Sequence, residues 1–183
     1  YPGRLTGFCS VNPAWGPAAI EEVERCAKDG AKGIGELHPD TQELDITETG
    51  YLAQFMGEAR RLGLPVVVHS SEPVGHQYPG KGATTPDKLY RFIENFPDNT
   101  IICAHWGGGL PFYALMPEVP EVLKNVYFDM AASPFLYEPG VVPTVAGLVG
   151  TDKILFGTDF PLIQPRRLLR YLEEAGLDPK AHE

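Results

Sequence analysis

Short runs of apolar, mostly β-branched residues alternate along the chain with longer stretches in which apolar residues recur at helical spacing. The clearest run covers residues 66–69, which follow a Gly-Leu-Pro break and end on a histidine. An uninterrupted apolar run of this length, bounded by turn residues, predicts a buried strand of a parallel sheet. Runs of the same kind predict further strands at 5–12, 31–37, 100–105, 125–130 and 153–159.

Amphipathic stretches between these runs predict helices. Their apolar positions share one face within 17–29, 51–62, 85–96, 143–149 and 168–175. Residues 70–84 are rich in glycine and proline, and prolines interrupt residues 106–124, so we expect a long loop and short irregular helices there. The alternation of strands and helices predicts six βα units around a parallel sheet, in a single domain over residues 1–183.

Three predicted strands end on residues that can bind a metal ion or carry a proton, namely His69, His105 and Asp159. The ends of the strands of a parallel barrel lie on one face, where the following loops build the active site. Imidazole and carboxylate groups that arrive there from different strands suit a divalent ion with an open position for water, and His105 is then available as a general acid or base. Because strand-terminal histidines are also common structural residues, the pattern alone leaves both interpretations open.

Composition narrows the classes of function. The 183 residues are 43% hydrophobic and 21% charged, which is typical of a soluble globular domain. A net charge of −9, with only 15 scattered lysines and arginines, argues against binding to nucleic acid or anionic membranes. Three cysteines without a Cys-x-x-Cys pair predict reduced thiols in the cytoplasm, and no apolar run approaches the ~18 residues of a membrane helix.

Four of the predicted strands carry motifs of a known superfamily. The runs PVVVHSS, IICAHWGGG, VYFDMAAS and ILFGTDFP resemble the later strands of the amidohydrolase superfamily. The similarity is greatest to the amidohydrolase-related group that contains the zinc-dependent aromatic-acid and aminocarboxymuconate-semialdehyde decarboxylases. His-x-Gly-Gly at 105–108 and Gly-Thr-Asp-x-Pro at 157–161 are the most specific pieces. This resemblance implies an α/β fold with TIM-barrel-like (β/α)8 architecture, a small-molecule substrate and a divalent ion, most simply zinc.

The resemblance also implies roles for individual residues. His69 resembles the metal-binding histidine of the family's fifth strand, and His105 resembles the sixth-strand histidine that acts as acid, base or second-metal ligand. Asp159 resembles the eighth-strand aspartate that contacts the metal and activates water. The first-strand His-x-His or Glu-x-His pair of the family is not found in this sequence, and 183 residues are fewer than the ~250 of a complete barrel. We therefore expect a truncated barrel of strands three to eight with an incomplete metal site.

Further candidate residues lie at other strand ends and in loops. Glu36 at the end of the second predicted strand is a candidate carboxylate ligand, or a partner for loop backbone. Three residues are candidates for substrate binding: Trp106 by ring stacking, Asp129 by orienting the substrate, and His76 from its loop. His38, in another loop, is a further candidate of the same kind. Each has a structural alternative, which is packing for Trp106, a strand-end hydrogen bond for Asp129 and simple solvent exposure for the loop histidines.

Four functions follow from these features. The first is hydrolysis of a small amide, ester or lactone by a metal-activated water, and the second is non-oxidative decarboxylation of a small aromatic or unsaturated carboxylic acid. The third is a TatD-like nuclease, because residues 33–36 resemble the Gly-Glu strand end of that family. The fourth is a catalytically incomplete barrel fragment whose exposed sheet edges lead it to form a homodimer.

Overall fold

A five-stranded parallel sheet forms the centre of the computed structural model, which describes residues 3–176. The strands follow one another across the sheet in chain order. They are β1 (Ile34–Leu37), β2 (Val66–Val68), β3 (Ile101–Cys103), β4 (Val126–Asp129) and β5 (Ile154–Leu155). The predicted domain of residues 1–183 also takes in 1–2 and 177–183, which lie outside the described residues.

The first of the six predicted strands is reduced to a single parallel bridge between Cys9 and Ile34. The amide of Cys9 donates to the carbonyl of Gly33 at 3.0 Å, and the amide of Gly35 donates to Cys9 at 2.8 Å. The ladder goes no further because the register of β1 shifts after Ile34, at Gly35, whose φ is +123°. A bulge of this kind bends the strand and ends regular pairing.

Within residues 3–176, eight α-helices connect and cover the strands. They are α1 (Pro17–Lys28), α2 (Pro39–Gln42), α3 (Gly50–Arg61), α4 (Pro86–Asn95), α5 (Val119–Val122), α6 (Ser133–Leu136), α7 (Val141–Val149) and α8 (Pro165–Glu174). Short 3₁₀ helices lie at Pro13–Trp15, Leu123–Asn125 and Thr151–Lys153. The longer 3₁₀ segment His105–Leu115 is interrupted near its start by residues with non-helical φ and ψ. Within residues 3–176, none of the helices combines the length and the apolar character needed to cross a membrane.

The predicted apolar stripes pack against the sheet. On α4, for example, Leu89, Phe92 and Ile93 are almost completely buried, as the spacing predicts. Leu169 on α8 was expected on the buried face, but it is 47% exposed, and Tyr171 is buried instead. The Tyr171 hydroxyl donates to the carbonyls of Tyr137 and Glu138, so it ties α8 to the loop that follows α6.

The chain turns sharply after β3. Residues 105–109 all have positive φ, between +54° and +99°, and only the last three are glycines. The missing side chain of Gly108 matters most, because a Cβ at that position would lie 2.4 Å from the carbonyl oxygen of Ser71. The loop after β2 therefore rests directly on the left-handed turn after β3.

Substitution of Gly108 by alanine is expected to destabilise the fold. The new methyl group must occupy space held by the Ser71 backbone while φ stays near +60°, and together these effects cost about 2–3 kcal/mol. Urea unfolding would measure the loss. Gly57→Ala in α3 is the matched control, because a Cβ there meets nothing within 4 Å and is expected to stabilise by about 0.5–1 kcal/mol. Equal stabilities for the two variants would contradict the close approach.

Candidate metal centre

Three potential metal ligands meet where β1, β2 and β3 end. Glu36 lies near the end of β1, His69 directly follows β2, and His105 follows Ala104 after β3. One ligand atom from each lies within 4.8 Å of the other two, and we call these residues the three-donor cluster. Both histidines are 8% exposed. Neighbouring parallel strands end at the same edge of a sheet, which is why residues far apart in sequence converge here.

Hydrogen bonds orient both imidazole rings. Nδ1 of His69 lies 2.8 Å from Oε1 of Glu36, and its Nε2 lies 3.2 Å from the carbonyl oxygen of Gly80. Nδ1 of His105 lies 3.1 Å from the carbonyl oxygen of Ala131. A carbonyl can only accept, so Nδ1 of His105 carries the proton and Nε2 keeps its lone pair for a ligand.

His69 is placed between two acceptors, which favours its protonated form. Burial alone would lower the pKa of His69, but its hydrogen bond with Glu36 and the charge of that carboxylate outweigh burial and raise it. Burial would likewise raise the pKa of Glu36, yet His69 and the two neighbouring histidines lower it. His69 and Glu36 therefore form an ion pair, and a proton must leave His69 before the ring can bind a metal ion.

The other histidine at this edge, His38, lies flat against His69. Their ring centroids are 4.1 Å apart and their planes differ by 12°. Burial and the charge of His69 lower the pKa of His38, so His38 remains neutral beside its partner. The rings of His69 and His105 meet edge to face at 5.0 Å. The side chain of His38 thus supports the position of His69 without joining the three-donor cluster.

The ion pair predicts a pH dependence of stability for the metal-free protein. The pKa of Glu36 is lowered from 4.5, so its contribution is complete above pH 4.5 and is lost as the pH falls through its folded value. The pKa of His69 is raised from 6.5, so its contribution is complete below pH 6.5 and is lost as the pH rises through its folded value. We expect the difference in Tm between the parent and Glu36→Gln to be largest between pH 4.5 and pH 6.5, where both contributions are complete.

Thermal unfolding in the presence of a chelator, followed from pH 3 to pH 9, would measure this difference. Asp98→Asn is the control for loss of an exposed ion pair, because Asp98 bonds Arg60 at 2.7 Å on the surface. A Tm difference for Glu36→Gln that stays constant across the range would contradict the ion pair.

Asp129 holds the backbone that carries His105. Its Oδ1 accepts hydrogen bonds from the amides of His105 and Ala131, both at 2.9 Å. Burial raises the pKa of the Asp129 carboxyl. These contacts are the strand-end hydrogen bonds that the sequence left open as one interpretation, and they fix the turn from which His105 points. The Ala131 carbonyl, which orients the His105 ring, carries no recognisable pattern in the sequence.

A cavity of about 360 Å³ opens beside the cluster, and we call it the central cavity. His69, His105 and the predicted site residues Asp159 and His76 line it. Asp159 has no ligand atom within the three-donor cluster, so the structure brings it to the cavity but not to the cluster. The remaining lining residues are Tyr78, Pro79, Gly80, Ala132, Phe135, Leu136 and Leu162.

Trp106 does not line the central cavity. Its side chain is fully buried in the core, and the indole Nε1 donates to Oγ of Ser133 at 2.7 Å. This is the packing position that the sequence offered as the alternative to substrate stacking. Tyr78 was not recognised from the sequence as a site residue, although an aromatic residue within a loop of glycine and proline is a usable indication.

A family model described as amidohydrolase matches residues 1–182. Among solved structures, a protein of Staphylococcus aureus described as a candidate amidohydrolase is 25% identical, with a TM-score of 0.73. The match covers 99% of this chain and 70% of the Staphylococcus protein.

Two further structures share the fold at lower identity. A dihydroxybenzoic acid decarboxylase of Polaromonas, solved with manganese and 2-nitroresorcinol, is 19% identical, with a TM-score of 0.73 over 98% of this chain and 66% of its own. A TIM-barrel protein of Bordetella bronchiseptica is 17% identical, with a TM-score of 0.71 over 100% of this chain and 63% of its own. This chain thus spans about two thirds of the length of these proteins.

These matches confirm the predicted α/β fold with TIM-barrel-like architecture, of which the chain represents a part. They also support a divalent ion, and two imidazoles with one carboxylate form a donor set that fits such an ion. Zinc itself remains a prediction, since the Polaromonas structure carries manganese. The predicted homodimer and cytoplasmic location also remain predictions.

Proposed function

Because the chain belongs to the amidohydrolase family, as the motifs indicated, we propose that it is a metal-dependent enzyme that decarboxylates small aromatic or unsaturated carboxylic acids without an oxidant. The observation that carries this proposal is the composition of the central cavity. His69 and His105 lie on its polar side, and Phe135, Leu136 and Leu162 form an apolar side. Such a cavity suits a substrate with a carboxylate at one end and a flat apolar body.

The residues divide into two roles. Glu36, His69 and His105 would hold the ion, since they contribute the three converging donor atoms. A divalent ion held by these residues would supply Lewis-acid chemistry that stabilises negative charge on the substrate. We assign proton transfer to Asp159, because it lines the cavity from outside the three-donor cluster. Asp159 would relay a proton from solvent to the carbon, where the proton replaces the carbon dioxide that leaves.

The surroundings of the cluster support this division. The Ala131 carbonyl and the Asp129 carboxylate fix the ring and the backbone of His105, so that Nε2 is presented without rearrangement. The charges of Glu36 and His69 neutralise each other in the metal-free protein. An ion that binds to the His69 ring would replace the ring proton, which would be released.

Hydrolysis of a small amide, ester or lactone is the second candidate, and one observation favours it. Asp159 is exposed to solvent, where it can take a proton from an attacking water molecule as readily as it can donate one to carbon. The same donor cluster serves both reactions. The nuclease and inert-fragment hypotheses receive no such support from the central cavity.

The deciding experiment is a reaction panel with the purified chain loaded separately with manganese and with zinc. One set contains hydroxybenzoates and unsaturated dicarboxylates, with carbon dioxide release and deuterium incorporation from D₂O as readouts. The other set contains amides, esters and lactones. We expect metal-dependent carbon dioxide release and one deuterium per product, both lost in Asp159→Asn. Cleavage of the second set alone would favour hydrolysis, and no reaction by a metal-loaded chain would refute both.

A further inference from the structure

The loop after β2, residues 70–84, contacts the ring of a proposed metal ligand. The carbonyl oxygen of Gly80 lies 3.2 Å from Nε2 of His69. Oγ of Ser71 lies 3.4 Å from the same nitrogen and accepts a hydrogen bond from the amide of Gly82 at 2.9 Å. Both polar neighbours of Nε2 thus belong to this loop, and Gly80 also lines the central cavity.

The two nitrogens of the His69 ring face different partners. A carbonyl can only accept, so Nε2 carries the proton that it donates to Gly80. Nδ1 lies 2.8 Å from Oε1 of Glu36, a member of the three-donor cluster, so Nδ1 is the nitrogen placed to bind an ion. A carbonyl on the opposite nitrogen of a metal-bound imidazole fixes the tautomer and the plane of the ring. Gly80 is positioned to do this for His69, as Ala131 is for His105.

The backbone at Gly80 determines where its carbonyl points. The φ of Gly80 is +93°, which side-chain-bearing residues rarely adopt, and a Cβ there would meet nothing within 4 Å. The amide of Lys81 donates to the carbonyl of Tyr78 at 3.1 Å. Nζ of Lys81 donates to the carbonyls of Val74 at 2.7 Å and His76 at 3.1 Å, so its side chain closes the loop on itself.

We propose that Gly80 is a positioning residue of the metal centre. Its carbonyl orients His69 for an ion at the three-donor cluster, and binding of the ion holds the loop after β2 in its closed position. This inference rests on the proposed function for the metal-binding role of His69. The coupling is reciprocal, so the factor by which the closed loop strengthens metal binding is the factor by which the ion stabilises the closed loop.

Substitutions at Gly80 test the proposal, with manganese as the probe. Gly80→Val places a β-branched residue where φ is positive, so the backbone must turn and withdraw the carbonyl from His69. We expect manganese to bind about 10-fold more weakly, the lower end of the range for loss of a group that orients a metal ligand. Gly80→Asn should retain more of the affinity, because asparagine tolerates positive φ. Competition with a chelating dye would measure the dissociation constants.

Gly75→Val is the matched control. Gly75 lies in the same loop, has a φ of +87° and also leaves open space around a Cβ, but the loop carbonyl beside His69 is that of Gly80. We expect similar losses in Tm for Gly75→Val and Gly80→Val, and a loss of manganese affinity for Gly80→Val alone. Equal losses of affinity would show that the loop acts only through general stability, and would contradict the role of Gly80.

Proteolysis reports on the loop itself, without any activity measurement. Lys81 is the only lysine or arginine within residues 70–84, so trypsin can cut this loop only after Lys81. Because Nζ of Lys81 is bonded within the closed loop, cleavage requires the loop to open. We expect saturating manganese to slow this cleavage about 10-fold in the parent and much less in Gly80→Val. A small peptide substrate in the same solution would show that manganese leaves trypsin unaffected.

Three results would overturn the proposal: parental manganese affinity in Gly80→Val, cleavage after Lys81 that manganese does not slow in the parent, or a parent chain that binds no manganese. If Gly80→Val fails to fold by circular dichroism, the parent's cleavage rates and Gly80→Asn still decide. Failure of the proposed function has a different appearance, in which Gly80 affects metal binding as expected but the metal-loaded parent decarboxylates none of the acids of the reaction panel. Decarboxylation by the parent, with parental metal affinity in Gly80→Val, would retain the function and refute the role of Gly80.

Discussion

His69→Ala is expected to bind manganese or zinc more than about 100-fold more weakly than the parent chain, with catalytic turnover falling at least as far. Replacing a residue that merely orients a metal ligand already costs 10- to 100-fold in affinity, and His69 itself supplies one of the three donors. The substitution also leaves the carboxylate of Glu36 without its partner at 2.8 Å. Elemental analysis and competition with a chelating dye would measure the metal affinity, and turnover would be followed with the best substrate of the reaction panel.

His38→Ala is the matched control for this prediction. It removes an imidazole of the same size that stacks on the ring of His69, with 4.1 Å between the ring centroids, but that has no atom in the three-donor cluster. Because the contact is one of stacking, we expect the metal affinity to fall by less than about tenfold. Metal binding that survives in His69→Ala and disappears in His38→Ala would show that the donors have been wrongly assigned.

Trp106→Ala is expected to lower the free energy of unfolding by about 3–5 kcal/mol, the range for removal of a buried tryptophan. The indole is fully buried in the core, and its N–H group donates to Oγ of Ser133, the first residue of α6. Its loss leaves a cavity in the core and removes a buried hydrogen bond at the same time. Urea unfolding, followed by circular dichroism, would measure the change.

Trp15, the other tryptophan of the chain, provides the control for this substitution. Trp15 is 63% exposed in a short 3₁₀ helix, and its replacement by alanine is expected to change stability by no more than about 0.5 kcal/mol. Similar small losses for both variants would argue against the buried position of Trp106. A Trp106→Ala chain with parental stability and weaker substrate binding would revive the stacking role that the sequence offered.

Hydrophobic patterning was sufficient to predict the sheet and most of the helices, because burial on both faces leaves an uninterrupted apolar run that sequence can reveal. The strand at residues 5–12 was overestimated. Its composition is that of a strand, but the pairing ends where Gly35 bends its neighbour, and a pairing partner cannot be read from one segment alone. The left-handed conformation of residues 105–109 could not be predicted from composition either, because two of these residues, His105 and Trp106, are not glycines.

The sequence predicted that the candidate site residues lie at the ends of the strands but did not give the geometry of the candidate site. Strand order and strand ends explain why His69 and His105 converge, whereas the position of Asp159 in the lining of the central cavity depends on the turn after β5. The close approach of the loop after β2 to Gly108 was not predicted, because such packing is a property of the tertiary fold.

The strand order also divides the site into two halves that differ in local stability. The three donors come from β1, β2 and β3, whereas Asp159 follows β5, which has two residues and pairs with β4 alone within the described part of the chain. β1 is also a terminal strand, but it has four residues, and a two-residue terminal strand opens at lower free energy than longer strands, as native-state hydrogen exchange would record. Warming would therefore release Asp159, the proposed proton carrier, before the proposed metal ligands, and the proposed catalysis would cease at temperatures at which the ion is still held.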